Sequence, residues 1–280
     1  MKKLIPFLAL AFVGASQAES LVSEPVVVGE SFGFTEGPAW DNQQHRFVFS
    51  DIPNHTLWQV TADGTLSKIT DNSGYSNGNA VDNNGNIWSA RHDRKLSRMT
   101  PSGKVDVVAA NFNGAPLNSP NDITVASDGA IWFTDPPFGI QGYGPEKANE
   151  AQPVRGIYRW KDGDLDLMSG DLTLPNGISF NDGSLFVADT ADGWVYKFSV
   201  SASGLGKPEK FARAGDMADG LAFDSDNNLW LATTGGLAVF NPAGEQTYFI
   251  KIDASHISNI AVTDSLVLVT AANKVLLYSK

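Results

Sequence analysis

The stretch Asn121–Asp135, NDITVASDGAIWFTD, contains one complete unit of a pattern that runs through the chain. A polar residue opens it, a short apolar run follows, Asp128-Gly129 supplies a turn, and a second apolar run returns. Apolar runs on either side of an Asp-Gly pair read as two antiparallel strands. Working outward, the same opening recurs at Glu36 (EGPAW), Asn77 (NGNAV), Asn176 (NGISF), Asp219 (DGLAF) and Ser258 (SNIAV), with spacings of 41, 44, 55, 43 and 39 residues along the chain. The turn recurs as Asn84-Gly85, Asp182-Gly183 and Asp226-Asn227, with a looser Asn42-Gln43, and the returning runs include NIWSA, SLFVAD and NLWLAT. A period of about forty residues built of short strands is the repeat of a β-propeller.

Each unit carries further strands split by a turn pair: TLWQVTADGTLSKIT, KLSRMTPSGKVDVVA, GIYRWKDGDLDLMS, VYKFSVSASGLGKPEKFA and LAVFNPAGEQTYFI. One unit is therefore a four-stranded antiparallel blade. The last unit offers only IAVTD, SLVLVTAA and KVLLYS, whereas Pro25-Val26-Val27-Val28 precedes the first blade without a hairpin partner. The expected fold is all-β: a six-bladed β-propeller of four-stranded antiparallel blades, closed by the N-terminal strand completing the last blade, which removes an open edge. The third unit also inserts a Pro- and Gly-rich segment, residues 136–155, on the face of the repeated polar openings. Segments of this length are either functional, here as a lid, or simply solvated.

Residues 1–18 read differently, with Lys2-Lys3, an apolar stretch from Leu4 to Val13, and small residues at Ser16 and Ala18. This pattern is that of a secretory signal, and the apolar stretch is too short for a bilayer span. The expected organisation is a signal peptide over 1–18 and a single propeller over 19–280, exported to a periplasm, with no membrane association after signal removal. Loss of the signal moves the formal charge from -11 to -13. A surface this acidic argues against nucleic-acid partners. The absence of cysteine removes disulfides and thiolate chemistry. Oligomeric state is not legible.

In a radial repeat equivalent positions face one axis, so the six openings are expected to meet at one end of a central channel. Glu36 and Asp219 contribute carboxylates, and Asn77, Asn121 and Asn176 contribute amides. An all-oxygen set suits a hard divalent cation, Ca2+ above all, with Mg2+, Mn2+ or Zn2+ as alternatives. Asn and Asp also cap turns, but that role does not explain a Glu at the opening of the first blade. Arg91, His92 and Arg94 follow the second strand of blade two, and Asp51, Asp135 and Asp189 hold the equivalent place in blades one, three and four. These residues are expected at the same face, with Arg91, His92, Arg94 and Asp135 as substrate contacts. His256 lies two residues before the sixth opening. Few aromatic residues are expected at this mouth.

The run LNSPNDITVASDGAIWFTDPPFG, together with FTEGPAW, LPNGISF, ADGLAFDSDNNLWLAT, ARHDRKLSR and SNIAVTD, resembles the SMP-30/gluconolactonase/LRE-like family over essentially the whole mature chain. The resemblance implies a propeller with one divalent cation held by Glu36, Asn176 and Asp219. It further implies that Asn121 contacts metal or substrate, that the segment containing His92 lines the pocket, and that the activity is hydrolysis of a lactone. Asp219 is the leading base, with a hydroxide on the ion and His92 as alternatives. The leading expectation is hydrolysis of an aldonolactone. A lipophilic lactone or phosphotriester is the second reading, and a non-catalytic ligand-binding propeller with a structural cation is the third.

Overall fold

The computed structural model describes residues 21–201 and 204–280; the expected signal segment lies outside them. The described residues form the ring of antiparallel blades that the repeat predicts. The first blade consists of Thr35–Asp41, Arg46–Asp51, Thr56–Thr61 and Leu66–Thr70, each strand hydrogen-bonded to the next in chain order. Blades two, three, four and five begin with Ser76–Val81, Ile123–Val125, Pro175–Asn181 and Ala218–Phe223 and repeat that order. In blade four the long third strand, Trp194–Ser201, also pairs with the short Gly204–Leu205. The last blade is assembled from both ends of the chain: Asn259–Val262, Leu266–Ala271 and Lys274–Ser279 are completed by Val26–Glu30, which pairs with Lys274–Ser279. This confirms the closing strand expected from Pro25–Val28.

Packing between blades supplies the core. Phe47, Phe49 and Val60 of blade one interleave with Leu268, Val275 and Leu277 of blade six, so the closure is apolar as well as hydrogen-bonded. At the face opposite the openings, the turns in blades two and five share one device. Asp82 accepts from the indole N–H of Trp88 at 2.8 Å, and Asp224 from that of Trp230 at 3.0 Å, which ties each turn to its returning strand. Among the described residues no helix is long and apolar enough to cross a membrane.

The feature that positions the site is a register shift in the innermost strands. In blade one Glu36 pairs with Ser50 and Ala39 with Val48, so Gly37 and Pro38 stand opposite Phe49 alone. The same shift follows Ser76, Pro175 and Ala218. Such a β-bulge re-aims a side chain that strict alternation would send elsewhere; it includes the opening residue in blades two, four and five and directly follows it in blade one. The position after it is glycine in four blades because the inner strands meet too closely for a Cβ. A Cβ on Gly37 would lie 2.1 Å from the carbonyl oxygen of Asn77, and one on Gly177 would lie 2.4 Å from that of Asp219. Blades three and six carry Asp122 and Asn259 at this position instead.

Candidate active site

Glu36, Asn77, Asn121, Asn176 and Asp219 line one cavity of about 360 Å³ at the mouth of the channel, together with His92, Thr190 and His256. Five of the six openings therefore meet as expected. Ser258 does not: its hydroxyl donates to the carbonyl of Thr35 at 2.8 Å, sealing the seam between blades six and one. The next residue, Asn259, reaches inward instead and donates to Glu36 Oε2 at 3.3 Å.

The electrostatics of this floor are unusual. Glu36 is 5% exposed, and its Oε2 accepts from the backbone N–H of Gly37 at 2.8 Å. Burial, then the charges of Asp219 and Asp122, push its carboxyl well above the usual carboxylate range. Asp219 is also raised, by burial, against the opposing hydrogen bond from His256 Nε2 at 2.7 Å. Beneath them burial raises Asp122 to about 7, although its Oδ2 accepts from the N–H of Ile178 at 3.1 Å. The basic groups in the cavity wall are His92 and His256 alone, so three acids crowd a space with little positive charge to balance them. A divalent cation would supply that charge, and the donors fit one. Among the described residues no three His, Cys, Asp or Glu side chains converge as a metal centre. A cation here would therefore draw on the amide oxygens of Asn121 and Asn176 as well as on Glu36 and Asp219, a set suited to Ca2+. Asn176 is already oriented, its Nδ2 donating to Thr190 Oγ1 at 3.0 Å.

The arginines and Asp135 take other roles. Arg91 is held by Asp93, with Nη2 to Oδ2 at 2.6 Å, and its Nε donates to the carbonyl of Gly74. Arg94 Nε donates to the carbonyl of Leu117 at 2.7 Å. Asp135 is fully buried and accepts from the backbone N–H of Asn118 at 2.7 Å. None of the three belongs to the cavity wall, where the sequence placed them as substrate contacts: neighbouring loops take Arg91 Nε, Arg94 Nε and Asp135 Oδ2, while Arg94 Nη2 and Asp135 Oδ1 are buried without a partner. His92 does line the cavity, but it is 2% exposed and both ring nitrogens are engaged, Nε2 with Asn77 and Nδ1 with the carbonyl of Tyr143. Burial lowers its pKa to about 4, and the geometry leaves it no free nitrogen to take a proton from water.

The roof comes from two loops. Phe34 precedes the first blade, and Phe138, Gln141 and Tyr143 come from the insertion. Phe34 and Tyr143 meet edge to face at 5.5 Å, and Phe34 lies 5.5 Å from His256. The mouth is thus bordered by aromatic rings, contrary to expectation, because the sequence does not show that these two loops converge. The insertion is a seated roof: the hydroxyl of Ser119 donates to Pro136 O and accepts from Gly139 N, and Asn118 Oδ1 accepts from the N–H groups of Ala151 and Gln152. Asp122 and Asn259 were missed as components of the site. The available signal was the departure from glycine after the opening, in NDITV and SNIAV.

The family model for the SMP-30/gluconolactonase/LRE-like region matches residues 34–272. A gluconolactonase of Zymomonas mobilis is 29% identical over 255 residues, covering 80% of this chain and 71% of that protein. A solved structure of a gluconolactonase from Xanthomonas campestris is also 29% identical, with a TM-score of 0.86 over 91% of this chain and 89% of that one. A calcium-binding regucalcin from Agrobacterium tumefaciens superposes with a TM-score of 0.77, covering 92% of this chain and 95% of that one, at 18% identity, a likeness of fold. The chain belongs to the SMP-30/gluconolactonase/LRE-like family.

Proposed function

We propose that the protein is a cation-dependent lactonase that opens an aldonolactone to its hydroxy acid, acting in a periplasm after removal of residues 1–18. The observation that carries the reading is the buried floor: two carboxylates, Glu36 and Asp219, and two amides, Asn121 and Asn176, share one cavity. These four residues would hold one divalent cation, Ca2+ above all. Such an ion, when bound, draws electron density from a lactone carbonyl and acidifies a nearby water.

Asp219 is the proton acceptor on the chain, its carboxylate held through Oδ2 by His256. Water oxygen attacks the carbonyl carbon, Asp219 receives the water proton, the ring C–O bond breaks, and the proton passes to the departing ring oxygen. One water is consumed and one hydroxy acid formed. Glu36 stays fixed by Gly37 and Asn259, and the Phe34–Tyr143 roof limits the access of bulk water. The relatives named gluconolactonase support the substrate class, and the cavity is compatible with it. A sugar ring offers hydroxyls to an amide-rich floor and C–H faces to aromatic walls. The roof of Phe34, Ile52, Phe138, Tyr143 and Met217 also favours a second reading, a lactone with an apolar substituent.

The test is acid release by the mature protein from D-glucono-1,5-lactone, a long-chain homoserine lactone and paraoxon, with and without chelator. Chelator-sensitive turnover of gluconolactone, restored by Ca2+, is expected. Turnover of the homoserine lactone alone would transfer the assignment to the second reading, and no cation-dependent turnover of any substrate would remove the enzyme.

A further inference from the structure

Asn77 carries no role in the cation set, yet its Oδ1 is a buried polar atom with no hydrogen-bond partner, on a residue 2% exposed in the cavity wall. Such atoms are rare in folded proteins and call for an explanation. The orientation of this amide follows from its neighbours. The carbonyl of Tyr143 lies 3.2 Å from His92 Nδ1 and can only accept, so Nδ1 carries the proton. Burial disfavours a second proton on the ring, so Nε2 is an acceptor. The Asn77 nitrogen 2.8 Å away donates to it. The amide is thereby fixed with Nδ2 toward His92 and Oδ1 left as an unmet acceptor. The insertion sets this arrangement: a Cβ on Gly139 would stand 2.8 Å from His92, so the roof is seated directly against the ring.

We infer that Asn77 Oδ1 accepts a hydrogen bond from a ring hydroxyl of the bound lactone, and that His92 is the positioning residue that presents it, locked by the backbone of the insertion. This assignment rests on the aldonolactone reading and names a group that selects for hydroxylated rings. A site built to bond a hydroxyl rejects the analogue lacking it because the buried acceptor is then left unpaired. Asn77 is thus assigned to specificity, whereas Glu36, Asn121, Asn176 and Asp219 serve the cation.

The test uses the full mature chain loaded with Ca2+ and two non-hydrolysable probes, D-glucono-1,5-lactam and δ-valerolactam, followed by calorimetry. Asn77→Leu removes the acceptor at nearly constant volume. It should weaken glucono-lactam binding by about tenfold, with δ-valerolactam and Ca2+ binding unchanged. His92→Phe keeps the ring but releases the amide, and should give a smaller loss with the same selectivity; it decides the matter if the leucine variant does not fold. Equal losses for both lactams, no loss for either, or weakened Ca2+ binding in Asn77→Leu would overturn the assignment. If the wild type shows this selectivity but releases no acid from gluconolactone, the hydrolytic reading falls and the recognition role stands. If it hydrolyses the lactone while the variants bind both lactams normally, only the assignment of Asn77 falls.

Discussion

Two rings of polar residues repeat with the same period, and the fold uses them in opposite ways. The first opens the innermost strand of each blade; the second closes the strand beside it, at Asp51, Arg91, Asp135, Asp189 and Thr233. Every member of the second ring is bonded to the loop that leads into its own blade. Asp51 accepts from the N–H groups of Gly33 and Phe34, Asp189 from those of Thr173 and Leu174, and Asp135 from that of Asn118. Arg91 donates to Gly74 O, and Thr233 to the carbonyls of Ala214 and Met217. The first ring turns acidic groups pushed up by burial and, at Asn77, an unpaired oxygen into the cavity; in the second ring burial likewise raises Asp135, to about 7, and its Oδ1 is unpaired, but it lies outside the cavity wall. Repetition alone does not mark a functional residue. What marks it is unspent hydrogen-bonding capacity that faces the cavity.

The sharpest way to break this distinction is to neutralise one member of each ring. Asp219→Asn should lower kcat for gluconolactone by about a thousandfold, the scale of a lost proton acceptor, while thermal unfolding shows a folded propeller. Retention of full activity would remove Asp219 from the base role. Gly177→Ala tests the bulge that aims the first ring. Its Cβ would meet the Asp219 carbonyl at 2.4 Å, and overpacking of this kind costs about 1–3 kcal/mol. Denaturant titration should show that loss together with weaker cation binding. In the second ring, Asp189→Ala strands the part-buried backbone N–H groups of Thr173 and Leu174 and should cost about 1 kcal/mol of stability, with kcat/KM above a tenth of the wild-type value. A larger kinetic loss without destabilisation would place Asp189 in the site. The smallest effect belongs to the roof: Phe34→Ala should raise KM by roughly threefold through lost apolar contact, with kcat nearly unchanged in steady-state kinetics.

The fold was legible because a propeller writes itself into the chain as a period, and a missing strand in the last unit shows as an unpaired apolar run at the other end. The carboxylates at Glu36 and Asp219 were legible as departures from that period. The bulges were not, since they are a property of pairing, and with them went the reason why glycine follows four openings. Asp122 and Asn259 escaped notice for the same reason: they occupy space on the axis that glycine leaves open elsewhere. Ser258 looked like a sixth opening yet serves the closure of the ring. Arg91, Arg94 and Asp135 lie outside the cavity wall, and sequence equivalence carries no information about which loop groups they bond. The aromatic roof depends on Phe34 and Tyr143 meeting from loops more than a hundred residues apart.

The central claim is that the unspent oxygens of the first ring hold a single cation on which lactone hydrolysis depends. Calorimetric titration of Ca2+ into chelator-treated mature protein, run in parallel on the wild type, Glu36→Gln and Asp189→Asn, tests it most directly. One ion per chain is expected for the wild type and Asp189→Asn, and a loss of affinity of at least about tenfold for Glu36→Gln. No binding by the wild type, or undiminished binding by Glu36→Gln, would contradict the account.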